Sequence, residues 1–179
     1  MDERRFVELQ LGRPPRAFRR VVVRCAYGLP AVTEQDPYTP SGEPFPTTYY
    51  VTCPHLVAAI SRLEAAGGVE RWSRAATQDP ELARSLEAAS EEQRRIRRQL
   101  VGGRKGDDAG ASLELGIGGS GSPRHLKCLH AHAAFALARP GYVLGERILE
   151  EVEPLWPGDG CCSGDLDGRL SRRGRQVPR

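Results

Sequence analysis

The N-terminal third of the chain alternates short apolar runs with turn-forming residues, which is typical of a small β-sheet. Residues 18–27 are rich in β-branched side chains, and Gly28-Leu29-Pro30 interrupts this run before apolar residues resume at 31–33. Four prolines make residues 36–46 an extended loop, and a third strand-forming run follows at 47–52. The pattern predicts an antiparallel hairpin and a third strand.

Helical spacing of apolar residues marks most of the remaining chain. Proline suits the first helical position, and Pro54, Pro80 and Pro123 each precede apolar residues that recur every three or four positions. The segment after Ser122-Pro123 is apolar nearly all round, as expected of a central buried helix. The predicted helices cover residues 4–11, 54–66, 80–100, 123–139 and 144–152.

These elements predict one α+β domain, with a small antiparallel sheet near the N-terminus packed by four to five helices. The length of 179 residues suits a single domain with its own core. We expect a helical arm at residues 1–16, the domain at 17–157, and a disordered basic tail at 158–179, where Gly, Asp and Arg dominate. Eight glycines within residues 102–121 predict a mobile loop in the domain.

Charge is nearly balanced, with 26 basic and 23 acidic residues and a net charge of +3. Residues 165–179 hold five Arg and two Asp and account for the excess, so nucleic-acid binding by the folded body is not expected. No apolar run approaches the ~20 residues of a membrane span, and the N-terminus lacks the apolar core of a secretory signal. We therefore expect a cytoplasmic protein without a membrane segment.

The five cysteines are the sharpest chemical feature of the sequence. In a reducing cytoplasm, cysteines are thiols or metal ligands rather than disulfides. Thiolates and imidazole nitrogens bind zinc, and thiolates also hold iron-sulfur clusters. Because the cysteines lie on separate predicted elements, they suggest a convergent zinc or iron-sulfur site. Its predicted ligands are Cys25, Cys53, Cys128, His132 and Cys161, with Cys162 as an alternative to Cys161.

Two other interpretations of these cysteines stay open. Cys25, Cys53 and Cys128 also fit the role of small buried apolar residues, which is a common fate of free cysteine. Cys53 stands at a predicted helix N-terminus, where the helix dipole favours a thiolate, so it is the best placed of the five for redox chemistry.

The predicted helix at 123–139 assigns different roles to its two histidines. His132 follows Cys128 by four residues and shares its face, which favours His132 as a metal ligand. His130 falls on the opposite, apolar face, where a hydrogen-bonded core histidine is the favoured interpretation.

The glycine-rich approach to that helix is a second candidate site. Residues 116–121 match G-x-G-x-x-G, but no parallel strand or acidic residue follows at the spacing of a dinucleotide fold. Free N–H groups at a helix start attract anions, and basic side chains stand beside them. The predicted anion site comprises Gly118, Gly119, Ser122, Arg124 and Lys127. The alternative is a flexible connection without a ligand.

Four strings in the sequence carry a resemblance to a known family. They are Arg24-Cys25 with Gly28-Leu29-Pro30, the run PFPTTYYVTCP at 44–54, SRLE at 61–64 and RHLKCLH at 124–130. Together they resemble the bacterial family called domain of unknown function 501, best represented in actinobacteria, over roughly residues 8–162. The family has no established activity. The resemblance implies an intracellular protein, often encoded beside a septum-formation initiator and an exopolyphosphatase-type phosphatase.

These features lead us to expect a cytoplasmic binding or regulatory protein whose special feature is a Cys/His metal or iron-sulfur site. The alternative is an enzyme that acts on a phosphorylated small molecule. It would bind the anion at residues 118–127 and use Lys127, His130 or Cys128 for chemistry. By association only, the resemblance adds a protein partner linked to cell division or polyphosphate metabolism.

Overall fold

Three antiparallel strands form the sheet of the protein in a computed structural model that describes residues 2–104, 106–122, 124–164 and 166. The strands are β1 (Phe18–Arg24), β2 (Pro30–Gln35) and β3 (Tyr49–Val51). They lie in the order β1-β2-β3, and Thr33 of β2 pairs with Val21 of β1 and Tyr50 of β3. All six residues of β2 are buried, so the sheet is covered along its central strand.

Six α-helices occur within these described residues, and local signals set several of their ends. Asp79 caps the long helix α4, because its carboxylate accepts hydrogen bonds from the N–H groups of Glu81 (2.8 Å) and Leu82 (3.3 Å). Pro54 occupies the start of α2, after Cys53 in extended backbone. The helices are α1 (Glu3–Leu11), α2 (Pro54–Ala65), α3 (Gly68–Gln78), α4 (Pro80–Val101), α5 (Leu129–Ala138) and α6 (Val143–Glu150), with 3₁₀ turns at Ala111–Glu114 and Ile117–Gly119.

Helix α5 runs through the centre of the domain. Seven of its ten residues are buried, and it packs against both β3 and α6. The ring of Phe135 meets Tyr49 of β3 and Tyr142 before α6 edge to face, with ring centroids 5.5 and 5.8 Å apart. The α+β class, the small N-terminal antiparallel sheet and the central helix are confirmed.

The prediction for the start of the central helix is wrong. α5 begins at Leu129 instead of residue 123, because the residues before it bind elsewhere in the chain. The N–H of Leu126 donates to Ser73 Oγ at 3.1 Å, and Lys127 Nζ donates to Gly119 O at 2.9 Å. The first bond joins this segment to α3 and the second joins it to the preceding 3₁₀ turn, and residues 124–128 stay in non-helical backbone.

The pattern also fails to predict α3, so the described chain holds six α-helices where four to five were expected. Gly67 and Gly68 end α2 as predicted, but they lead directly into another helix. Gly67 has φ +81°, which favours glycine, and a Cβ on Gly68 would lie 2.6 Å from Leu63 O and 3.0 Å from Leu129 Cδ1. The two glycines thus let α3 start in close contact with α2 and α5.

Within the glycine-rich segment, the two 3₁₀ turns at Ala111–Glu114 and Ile117–Gly119 lie against α4. Gln93 of α4 donates to Gly116 O at 2.6 Å, and Ile117 is 1% exposed. These contacts give the segment a packed face, while its predicted mobility stays a prediction. The predicted disordered tail lies, from residue 165 onward, outside the described residues except for Leu166. Among the described helices, none combines the length and the apolar character needed to cross a bilayer.

A buried histidine predicts how the stability of the fold depends on pH. His132 is 1% exposed and its Nδ1 lies 2.7 Å from Tyr142 Oη. Burial lowers the pKa of His132 to about 3 from an ordinary value of 6.5. His132 therefore becomes protonated near pH 6.5 in the unfolded chain but only near pH 3 in the native chain. As the pH is lowered from about 6.5 to about 3, this histidine should reduce the free energy of unfolding by about 1.4 kcal/mol per pH unit.

Denaturant unfolding across that pH range checks the expectation. The matched variant is His132→Asn, whose side-chain oxygen can replace Nδ1 toward Tyr142 but does not titrate. Its pH profile should be shallower by one proton. Parallel profiles for the two proteins would contradict the assignment of a neutral buried imidazole.

Candidate metal centre

The C-terminal end of α2 meets the N-terminal end of α5. Cys128 is the N-cap residue of α5, but its side chain makes no capping hydrogen bond. The cap comes from α2 instead, because Glu64 Oε1 accepts a 2.6 Å hydrogen bond from the N–H of Leu129. A carboxylate is favourable at this position, since the N-terminus of a helix carries partial positive charge. This contact fixes where α5 begins.

Three side chains of different chemistry converge at this junction. His130 Nδ1 lies 3.2 Å from Glu64 Oε1 and 3.7 Å from Cys128 Sγ. The other ring nitrogen, Nε2, lies 3.2 Å from Val57 O and 3.3 Å from Ser61 Oγ. A carbonyl oxygen only accepts, so Nε2 is the nitrogen that carries a proton toward Val57. Nδ1 is therefore aimed at the thiol and the carboxylate.

The surroundings of His130 favour a positive charge at this point. Burial disfavours the imidazolium, but the contacts with Cys128 and with the Glu64 carboxylate outweigh it and raise the pKa of His130 to about 9. The His130 and Glu64 side chains remain 23% and 25% exposed. The junction is thus a half-buried place that attracts a cation, whether a proton or a metal ion.

The geometry of the donors fits a transition-metal ion. One atom each of Glu64, Cys128 and His130 lies within 4.8 Å of the others, and the described residues contain no other group of three His, Cys, Asp or Glu side chains this close. Zinc takes thiolate, imidazole and carboxylate ligands at ~2.0–2.3 Å, which places tetrahedral ligand atoms roughly 3.3–3.6 Å apart. The distances of 3.2 and 3.7 Å to Nδ1 are close to that spacing.

The junction opens onto a cavity of about 490 Å³. Its lining includes Cys128 and His130 of the junction, Arg13 after the end of α1, and Tyr50 of β3. Arg13 donates to Tyr50 Oη at 3.2 Å. The wall is largely apolar elsewhere, so Arg13 and His130 are its charged groups. A small molecule in this cavity would reach Cys128 and His130.

The predicted set of metal ligands does not form a single site among the described residues. Cys25 Sγ lies 3.9 Å from Cys161 Sγ, and Cys53 Sγ lies 3.5 Å from Cys162 Sγ, as two separate pairs. Cys128 is apart from both pairs, in contact with His130.

The roles predicted for the two histidines are reversed. His132 is the core histidine against Tyr142, and His130 is the one at the cavity. The cause is the late start of α5. It leaves Cys128 in extended backbone, so helical spacing from Cys128 to His132 does not apply.

The residues of the predicted anion site are spread along the approach to α5. Gly118 lines the cavity, Lys127 Nζ is bonded to Gly119 O, and Ser122 and Arg124 are exposed. The predicted helix start behind them does not exist, because the first N–H groups of the helix belong to Leu129 and its successors. Anion binding by these side chains stays a prediction.

Glu64 is the member of the group that sequence reasoning missed. A signal was present, since Glu64 stands one residue before the end of α2, where the helix dipole disfavours an acidic side chain. A carboxylate at such a place indicates a partner outside its own helix. The partner here is the N-terminus of α5, which is 65 residues away in the sequence, so no local pattern predicts the contact.

The fold and the junction define an α+β domain with a Cys/His/Glu group, of which Cys128 and His130 line a cavity. The chain belongs to the family described as "Protein of unknown function (DUF501)", whose model matches residues 21–150. This stretch contains Glu64, Cys128 and His130 but neither Cys161 nor Cys162. No curated protein and no solved structure matches the chain. The actinobacterial affiliation and the link to cell division or polyphosphate metabolism stay predictions.

The Glu64 contact gives a direct prediction for stability. Glu64→Ala leaves the Leu129 N–H at the start of α5 without an acceptor, so the free energy of unfolding should fall by about 1–3 kcal/mol. Glu64→Gln keeps an oxygen acceptor and should recover most of that loss. Denaturant titration of metal-free protein measures both values. Equal stability of Glu64→Ala and the wild type would contradict the capping role.

Proposed function

We propose that the protein is a metal-binding protein that holds one transition-metal ion of the zinc class through Cys128 Sγ, His130 Nδ1 and the Glu64 carboxylate. The observation that supports this proposal is the convergence of the thiol and the carboxylate on one nitrogen of His130. The centre carries out the binding or regulatory function expected from the sequence, with the adjoining cavity receiving a small ligand.

The arrangement around the imidazole favours a chelate over a proton relay. In a cysteine nucleophile with a histidine base, the thiol and the orienting carboxylate contact opposite nitrogens of the ring. Here both lie at Nδ1, and Nε2 faces Val57 O. Histidines that bind metal usually donate their second N–H to a carbonyl or carboxylate, which fixes the ring and its tautomer. Val57 O takes that role for His130.

Three protein ligands leave a fourth position of a tetrahedral zinc ion free. Closed structural sites use four protein ligands, whereas sites with three keep a position for water or a substrate. Cys128 and His130 both line the cavity, so the fourth position is expected to face it. Arg13, which also lines the cavity, adds a positive charge, which favours a small anionic ligand beside the metal ion.

A reducing compartment suits this chemistry. All five cysteines are free thiols, and a thiolate ligand must remain unoxidised to bind zinc. We place the working protein in the cytoplasm for this reason.

Zinc titration of the full chain tests the proposal. The metal-free protein is kept reduced and titrated against a chromophoric chelator. Wild type should take up one equivalent tightly. Cys128→Ser, His130→Gln and Glu64→Gln should each weaken the affinity at least about tenfold, because each removes a ligand. Glu64→Gln is informative because it keeps the hydrogen-bond acceptor for α5.

The matched control is Cys162→Ser, which alters an exposed thiol away from the junction. It should bind zinc as the wild type does. The proposal fails if zinc affinity is unchanged in all three junction variants, or if the wild type takes up no zinc.

A further inference from the structure

The four cysteines outside the metal centre form two thiol pairs at one end of the sheet. Cys25 follows β1 and Cys53 follows β3, and both N–H groups bond to the β2 region, at Leu29 O and Ala31 O. Two sheet-end thiols therefore stand on either side of the central strand. The outer strands β1 and β3 are separated by roughly 10 Å because β2 lies between them, so the Cys25 and Cys53 sulfurs are not direct partners.

The adjacent residues Cys161 and Cys162 each contact a different one of these two thiols. Cys161 Sγ lies 3.9 Å from Cys25 Sγ, and Cys162 Sγ lies 3.5 Å from Cys53 Sγ. Other contacts hold the same C-terminal segment in place. Gln10 Nε2 donates to Ser163 Oγ at 3.1 Å, and His55 Nε2 lies 3.0 Å from Pro154 O. The pairing is thus part of a docked segment.

Burial gives each pair an inner and an outer thiol. Cys25 and Cys53 are 7% and 2% exposed, whereas Cys161 is half-buried and Cys162 is exposed. Burial, together with the contact with Cys162, raises the pKa of Cys53. A dissolved oxidant therefore reaches the outer thiols first, and the inner thiols are within reach to complete the reaction.

We propose that these pairs are a redox modification site, at which a low-molecular-weight disulfide oxidises the protein to the two bonds Cys25–Cys161 and Cys53–Cys162. The Sγ atoms of the two pairs must approach by roughly 1.5–2 Å to reach the bonded distance. A second metal site is the less favoured alternative, because no three of these sulfurs lie within 4.8 Å of one another among the described residues.

The reaction is thiol–disulfide exchange, with oxidised glutathione as the oxidant. The Cys162 thiolate attacks glutathione disulfide, forms a mixed disulfide and releases one glutathione thiolate. The Cys53 thiolate then attacks Cys162 Sγ and releases the second glutathione. The two protons lost by the protein thiols end on the two glutathione molecules. Cys161 and Cys25 react in the same way with a second molecule of oxidant.

The bonds would tie the C-terminal segment to the sheet beside the cavity. Thr52 and Pro54 line the cavity, so Cys53 is next to the cavity wall. Gln10 also lines the cavity, and its side chain contacts Ser163 of the C-terminal segment. Oxidation is thus expected to stabilise this wall and the whole fold, since the bonds close chain separations of 136 and 109 residues.

Mass spectrometry of the full chain tests the proposal. Metal-free protein is incubated with oxidised glutathione at mildly alkaline pH, alkylated and analysed without reduction. The expected product has lost four hydrogen atoms and carries one alkyl group, on Cys128. Peptide mapping should give Cys25–Cys161 and Cys53–Cys162. A bond between Cys161 and Cys162, a bond between Cys25 and Cys53, or glutathione adducts alone would overturn the proposal.

Two variants at the outer positions are the matched controls. Cys162→Ser should form only the bond between Cys25 and Cys161, and Cys161→Ser only the bond between Cys53 and Cys162. The midpoint of thermal unfolding should rise on oxidation of the wild type and return on reduction. It should stay constant in the double variant Cys161→Ser with Cys162→Ser. A rise in the double variant would assign the effect to other residues. Each readout is independent of zinc binding, so failure here leaves the metal centre unaffected.

Discussion

The hydrogen bond from the Leu129 N–H to the Glu64 carboxylate is the contact on which the candidate site depends. It joins the end of one helix to the start of another, and it satisfies a donor that a helix N-terminus would otherwise leave without a partner. Its position also decides the conformation of Cys128, which stays extended as the N-cap residue. Because His130 is the second residue of the helix, the same contact brings its ring to the carboxylate.

Packing of α5 turns this local contact into a property of the whole domain. The helix is buried on most sides against β3 and α6, so its N-terminus cannot shift without disturbing the aromatic contacts of Phe135. The same helix lines the cavity with Cys128, His130 and Ala131. The packed helix therefore holds a thiol and an imidazole on the cavity wall, with the Glu64 carboxylate beside them. This combination supports the proposal that the junction binds a metal ion.

Hydrophobic periodicity was sufficient for the sheet, the long helix α4 and the α+β class, because these elements depend on local spacing and strong end signals such as Asp79-Pro80. It was insufficient at residues 123–128. There Ser122-Pro123 gives a strong start signal, but Leu126 bonds to the distant Ser73 of α3 and Lys127 bonds to Gly119. This error led to the expectation that His132, instead of His130, lies beside Cys128.

The candidate site was accessible to sequence reasoning only in part. Cys128 could be recognised as a metal-binding residue type, but its partners could not, since Glu64 is 65 residues from Leu129 in the chain. The pairing of Cys161 and Cys162 with two different strand ends likewise depends on how the C-terminal segment docks. Both arrangements are set by tertiary packing, which spacing along the chain does not encode.

X-ray absorption spectroscopy of the reduced, zinc-loaded protein distinguishes a metal centre at the junction from one at the other cysteines, because it counts the sulfur atoms bound to the metal ion. A centre at the junction should give about one sulfur at ~2.3 Å and about three nitrogen or oxygen atoms at ~2.0–2.1 Å. A coordination shell of three or four sulfur atoms would place the ion at the other cysteines. That result, or a shell without sulfur, would contradict a centre formed by Glu64, Cys128 and His130.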